Sequence, residues 1–216
     1  MSANDLPARG TATAPSVDLH RIKCVALGYG GTLDDRTKPK IDGSYPVADA
    51  CVPVLHTLVS AGITLVLSSN TIPGEHRWPA LNAAGVAHLF AARLCSASIG
   101  RRKPEPSWYW AITAFAACPP LLALHVGNDL MHDVIAPSAL GMRTALLRPN
   151  GPTDEERAQL PANAVVISGV PDLPALLGIT APPPTPTRQP DVRDTSTARY
   201  FAGRRKAGTA VRASGG

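Results

Sequence analysis

The stretch IKCVALGYGGTLDD (residues 22–35) decides the fold: a short apolar run breaks into a glycine turn and then a pair of carboxylates. Ile22–Leu27 is long enough for a buried strand and too short for a helix. The turn fails two phosphate signatures. Leu33 stands where the third glycine of a dinucleotide fingerprint belongs, and no Gly-Lys-Ser/Thr run follows, as a P-loop requires. Taken alone, GYGG offers a tight turn or a nest of amides for an anion.

Outward from this strand the pattern alternates. Val47, Cys51, Val54, Leu55, Leu58 and Val59 fall at helical spacing, with Pro53 near the start and Gly62 as the stop. Ile63–Leu67 is a β-branched run that ends at Ser68-Ser69-Asn70. A short helix is predicted over 75–84, a third strand over Val86–Phe90 and a helix over Ser107–Ala117. Next come a strand over Leu121–Val126, a helix over Leu130–Leu140 and a strand over Arg143–Leu147. A charged helix over Thr153–Leu160, with Thr153 as its N-cap, and a strand over Ala164–Ser168 complete the pattern. Strands apolar throughout, separated by helices, predict a mainly parallel sheet covered on both faces, a Rossmann-like three-layer α/β sandwich. Ligands of such sheets bind outside the carboxyl ends of the strands. The loops at 28–46, 68–74 and 127–133 are therefore where chemistry is expected.

Four features occupy those loops in order: GYGGTLDD (28–35), Ser69-Asn70, Arg102-Lys103-Pro104 and VGNDLMHD (126–133). Together they resemble the haloacid dehalogenase-like hydrolase superfamily, whose members are mostly Mg²⁺-dependent phosphatases. The resemblance spans roughly residues 21–178. The family's opening D-x-D-G-T-L is matched by Gly28-Tyr29-Gly30-Gly31-Thr32-Leu33, its strand-ending Ser or Thr by Ser69, and its lysine motif by Gly100 to Pro104. Its acidic motif is matched by Gly127-Asn128-Asp129 with Asp133. The resemblance implies that Gly31, Thr32, Ser69, Asn70 and Lys103 hold phosphate oxygens, and that Asp129 and Asp133 are the metal-side acids.

The departure falls where the family's chemistry begins. In that family the first Asp of motif one attacks phosphorus and the second moves a proton to the leaving group; here those positions are Gly28 and Gly30. Glycine can neither attack, protonate nor ligate, and covalent catalysis needs a carboxylate in line with the phosphoryl group. Mg²⁺ binding is expected to be weak or absent, because the hard cation loses an anionic oxygen ligand. Asp34 and Asp35 lie beyond the tight turn and would have to fold back to substitute, and His132 beside Asp133 is another candidate base. Three readings stay open. One is a catalytically impaired phosphatase homologue that binds an anionic or phosphorylated ligand or partner. Another is a hydrolase working through Asp34, Asp35 or His132. The last is a scaffold acting through a basic tail. Against the anion site stands a plain alternative, in which Ser69 caps a turn and Lys103 is a solvated loop lysine.

Neither Leu33 to Val47 nor Asn70 to Lys103 leaves enough residues for an inserted cap domain, so a capless, open site is expected. Composition narrows the rest. The 216-residue chain carries a formal charge of +5. Residues 1–178 hold 14 basic and 14 acidic side chains, and the last 38 hold seven basic against two acidic. The folded part is electrically balanced, so nucleic acid is a partner only through the tail, whose Arg204-Arg205-Lys206 could meet an acidic surface. Residues 1–20 are expected to be a disordered leader, 21–178 the α/β domain and 179–216 a disordered tail. No apolar run reaches the ~18 residues of a spanning helix, which excludes a membrane protein of that kind. Cys24, Cys51, Cys95 and Cys118 form no CxxC pair and read as free thiols of a reducing, cytoplasmic compartment. Trp108-Tyr109-Trp110 is expected to serve core and rim packing rather than stacking on a ligand.

Overall fold

The structure, a computed structural model, describes residues 18–179. The expected disorder of 1–17 and 180–216, including the basic tail, lies outside the described residues. Within them the leader ends earlier than expected. Leu19–Arg21 form a 3₁₀ turn capped by Asp18, and Leu19 is buried in the core.

Six strands form one sheet in the order β3-β2-β1-β4-β5-β6, and every pairing is parallel. They are β1 (Cys24–Leu27), β2 (Thr64–Ser69), β3 (Phe90–Cys95), β4 (Ala123–Gly127), β5 (Arg143–Leu147) and β6 (Ala164–Ile167). Around them lie α1 (Cys51–Ser60), α2 (Trp78–Ala83), α3 (Ser96–Ile99), α4 (Pro106–Phe115), α5 (Ala136–Ala139), α6 (Asp154–Gln159) and α7 (Leu173–Leu176). Parallel strands must be buried on both faces, and alternation along β1 shows how. Val25 and Leu27 enter one core with Leu55, Leu58, Leu81 and Leu173. Cys24 and Ala26 enter the other, with Trp108, Tyr109, Ile112 and Met142. Gly62, at φ +80°, ends α1 in the left-handed conformation that glycine adopts without strain. At α6 the Thr153 hydroxyl accepts the Glu156 N–H while the Glu156 carboxylate accepts the Thr153 N–H, a reciprocal cap.

Several boundaries differ from expectation; among them, the strand expected from Leu121 begins at Ala123 after a 3₁₀ turn, and the helix expected over 75–84 is Trp78–Ala83. The third strand is Phe90–Cys95; Ala87–Leu89 form a 3₁₀ turn instead. This edge strand alternates buried and exposed residues, and Arg93 stacks 3.5 Å over the Trp78 ring, so it lacks the continuous apolar run of a central strand. The helix expected over 130–140 is split into a π-helical turn, Leu130–Ile135, and α5. Val47, which shares the helical spacing of α1, instead bridges Asp34 in a small antiparallel excursion that also pairs Ile41 with Ser44. Among the described residues no separate domain is inserted between β1 and α1 or between β2 and α2.

Candidate functional site

The strand order reverses direction at β1, so the carboxyl ends of β1 and its neighbours β2 and β4 form the crevice where such sheets bind ligands. Gly28 stands there, its N–H donating to the Val126 carbonyl at 2.8 Å. A side chain begun at Gly28 would meet Thr32 Oγ1 at 2.9 Å. That hydroxyl is buried and has no hydrogen-bond partner among the described residues. An orphaned buried hydroxyl is costly, and here it faces the volume that a side chain at Gly28 would enter.

The turn after Gly28 winds tightly. The Tyr29 carbonyl accepts from the N–H groups of Thr32, Leu33 and Asp34 at 3.1, 2.8 and 3.2 Å. This winding returns Asp34 to the loop. Its Oδ1 accepts the Gly31 N–H at 2.6 Å, its Oδ2 faces Arg36 Nε at 3.4 Å, and its side chain is only 4% exposed. A side chain begun at Gly30 would meet only Arg36 Nη2 at 3.6 Å and Asp34 Oδ2 at 4.0 Å. Asp34 therefore stands beside the space that a side chain at Gly30 would occupy. Asp35 turns outward to Thr37 and Lys38, and those contacts, led by the Thr37 hydroxyl, hold its carboxyl below the usual range. Gly31 adopts φ +70° and packs against the Asn128 side chain, which leaves no room for a Cβ.

Lys103 is not a solvated loop lysine. It is buried, and Nζ donates to Asp133 Oδ1 at 2.5 Å and to the Ser68 carbonyl at 3.1 Å. Asn70 fixes its backbone on both sides: Asn70 Oδ1 accepts the Lys103 N–H at 2.9 Å and Nδ2 donates to the Lys103 carbonyl at 3.1 Å. Asn70 thus acts on the position of Lys103 rather than facing a ligand with its amide. Ser69, at the end of β2, is buried with its hydroxyl 3.4 Å from the Asn70 carbonyl. Asp133 sends its second oxygen to the Asp129 N–H at 3.0 Å and fills the space beside Gly127 that a Cβ would need. Asp133 lies in the π-helical turn, a device concentrated at functional sites.

The two acids that the resemblance places at a metal both have partners within the protein. Asp133 is taken by an ammonium and an amide. Asp129 is bound by the His132 N–H at 2.8 Å and by the His132 ring at 3.0 Å. Partial burial pushes the Asp129 carboxyl up, but these contacts outweigh it and hold the group below the usual range. No group of three or more His, Cys, Asp or Glu suited to a metal ion is found among the described residues. A Mg²⁺ ion asks for an octahedral set of oxygens. Asp133 with the Lys103 ammonium against it, and Asp129 held by His132, do not fit that demand. His132 pairs with Asp129 rather than with its sequence neighbour Asp133.

Three residues of the site carried no motif. His125 in β4 is fully buried, with Nδ1 3.1 Å from the Asp133 carbonyl and Nε2 3.0 Å from Ser68 Oγ. A carbonyl only accepts, so Nδ1 holds the proton and Nε2 accepts from the Ser68 hydroxyl, which in turn accepts the Trp108 indole N–H at 2.9 Å. Desolvation by burial pushes His125 from the ordinary 6.5 down to about 4. The unfolded chain takes up this proton as pH falls from about 6.5 and the folded chain resists it until about 4. Stability should therefore fall across that window by about 1.4 kcal/mol per unit, about 3 kcal/mol in all. Urea midpoints measured from pH 7 to pH 4 check this, and His125→Gln should flatten the slope. Ser68, which links His125 to Trp108, is the second such residue, and Arg77, which donates to Ser69 Oγ at 3.2 Å, is the third. Trp108 and Tyr109 are buried, and Trp110 is 57% exposed, as core and rim packing requires.

No family model matches the chain. A phosphoserine phosphatase from Thermus thermophilus is 34% identical over 113 residues, covering 50% of this chain and 43% of its own length. The chain thus spans less than half of that curated relative. A crystal structure of a 2-haloacid dehalogenase from Pseudomonas syringae superposes with a TM-score of 0.52 at 23% identity, over 63% of this chain and 55% of that one. A D,D-heptose 1,7-bisphosphate phosphatase from B. bronchiseptica, complexed with magnesium and phosphate, superposes with a TM-score of 0.55 at 21% identity. That match covers 72% of this chain and 98% of the phosphatase. These likenesses show the fold, a Rossmann-like α/β domain on a parallel sheet, which the chain shares with a dehalogenase and a phosphatase.

Proposed function

We propose that this chain is a capless haloacid dehalogenase-like hydrolase homologue in which phosphoryl transfer is impaired and the binding of an anionic or phosphorylated ligand is retained. One observation carries the reading: the two carboxylate positions at the carboxyl end of β1 are Gly28 and Gly30, at the crevice where the strand order reverses. The donors around them support retained binding. Thr32 offers a buried hydroxyl without a partner, and Lys103 has an ammonium proton beyond the two it donates to Asp133 and Ser68. Two missing carboxylates leave the crevice less negative than a Mg²⁺-dependent site, which favours an anion over a cation. Mg²⁺ is weakly held or not held at all. The open face suits a phosphorylated macromolecule as well as a small phosphate, and four free thiols fit a reducing, cytoplasmic setting. No described helix is long and apolar enough to cross a membrane.

Titration of the full chain with inorganic phosphate, followed by amide chemical shifts, tests the reading. Saturable shifts at Gly30, Thr32, Ser69 and Lys103 are expected without Mg²⁺ and unchanged by it. Shifts that require Mg²⁺, or none at all, would contradict it. A second reading rests on Asp34 alone, whose carboxylate stands beside Gly30: a hydrolase that uses this residue as its acid/base. Loss of turnover on Asp34→Asn distinguishes the two.

A further inference from the structure

One buried charge joins three parts of the site. Arg77 lies just before α2 and is 9% exposed. Its Nε–H donates to Ser69 Oγ at 3.2 Å, Nη1 donates to Ser44 Oγ at 3.1 Å, and Nη2 pairs with Glu75 Oε2 at 2.9 Å. Its guanidinium sits 4.9 Å over the ring of Tyr29, between the two glycines of the first motif. A guanidinium donates and never accepts. Ser69 Oγ, once it accepts that N–H, must turn its own proton elsewhere. Among the described residues its one acceptor is the Asn70 carbonyl at 3.4 Å, beyond the usual O–H···O range. Ser69 is thus a preset donor with a poor partner, and an oxyanion oxygen would improve on it.

Ser44 is the other end of the connection. Its hydroxyl donates to the His76 carbonyl at 2.8 Å, and its backbone exchanges hydrogen bonds with Ile41. The Tyr29 hydroxyl donates to the adjacent Tyr45 carbonyl at 2.6 Å. We infer that Arg77 is a positioning residue. It sets the Ser69 hydroxyl as a donor to a tetrahedral oxyanion in the crevice, and through Ser44 it couples occupancy of that site to the 34–47 excursion. The oxyanion part rests on the proposed function; the coupling part does not.

The test uses the full chain and inorganic phosphate without divalent metal, with amide exchange followed at Ile41 and Ser44. Ser69→Ala and Arg77→Met should each weaken phosphate about tenfold. The double variant should be no weaker than either single one, because both remove the same preset donor. Phosphate should slow exchange at Ile41 and Ser44 severalfold in the native chain and leave it unchanged in Arg77→Met. Arg77→Lys keeps the charge without the planar fork and guards against misfolding; it should lose the same coupling. Additive losses, or slowing that persists in the Arg77 variants, would overturn the inference. If the native chain binds no phosphate, the anion reading fails and exchange alone decides the coupling. Ser69→Ala must then quicken Ile41 and Ser44 exchange when Arg77 is present and not in Arg77→Lys. No quickening overturns it.

Discussion

Replacing Gly28 and Gly30 together by aspartate is expected to raise phosphomonoester turnover with Mg²⁺ by on the order of 10³-fold over the native chain. Removing a nucleophile costs an enzyme on the order of 10⁴–10⁶ in rate, and reinstalling one in a prepared fold should recover part of it. The geometry allows the change. At Gly28 the obstacle is the Thr32 hydroxyl at 2.9 Å, a side-chain atom that a rotamer change can move, with the Val126 carbonyl at 3.5 Å. At Gly30 nothing comes closer than Arg36 Nη2 at 3.6 Å. Asp34 would crowd a new carboxylate there, since like charges in one site disfavour ionising both. Adding Asp34→Asn to the double substitution should therefore raise the rate again. Each single substitution should stay near the native rate, because nucleophile and proton donor are both needed. The measurement is steady-state release of phosphate from a generic aryl phosphate.

Asp133→Ala should destabilise the fold by about 3–5 kcal/mol, the cost of leaving a buried charge unpaired. Lys103 and Asp133 side chains are 7% and 3% exposed and pair at 2.5 Å, so the lost partner leaves the ammonium poorly solvated. The substitution also releases the Asp129 N–H and vacates the space beside Gly127. Against a typical total of about 5–15 kcal/mol, this is a large fraction. Removing both charges with Lys103→Met and Asp133→Leu should cost clearly less than Asp133→Ala alone, because no lone ion remains. Urea unfolding with an unchanged slope would check both.

The fold was legible because its signals are local. Ile63–Leu67 and Arg143–Leu147 are β-branched or apolar runs closed by turn residues, and the Thr153 cap needs only its own helix. The third strand escaped because an edge strand alternates, with Arg93 covering an aromatic ring instead of entering the core. The π-helical turn escaped because the 130–140 pattern reads as an ordinary helix, and the Asp133 contact to Lys103, thirty residues away, is tertiary. In the site, the place of Gly28 and Gly30 at the carboxyl end of β1 could be read from the sequence alone. The return of Asp34 depends on three N–H groups converging on one carbonyl, which no residue spacing announces. Arg77 had no motif around it; its importance appears only when the 34–47 excursion brings Ser44 against it.

Turnover of a phosphomonoester by the native full chain, with and without Mg²⁺ and beside Asp34→Asn, bears most directly on impaired chemistry in an intact fold. Turnover no higher than the uncatalysed background, and the same in Asp34→Asn, is the expected result. Native turnover that disappears on Asp34→Asn would contradict the account and make this chain a working hydrolase with a displaced carboxylate.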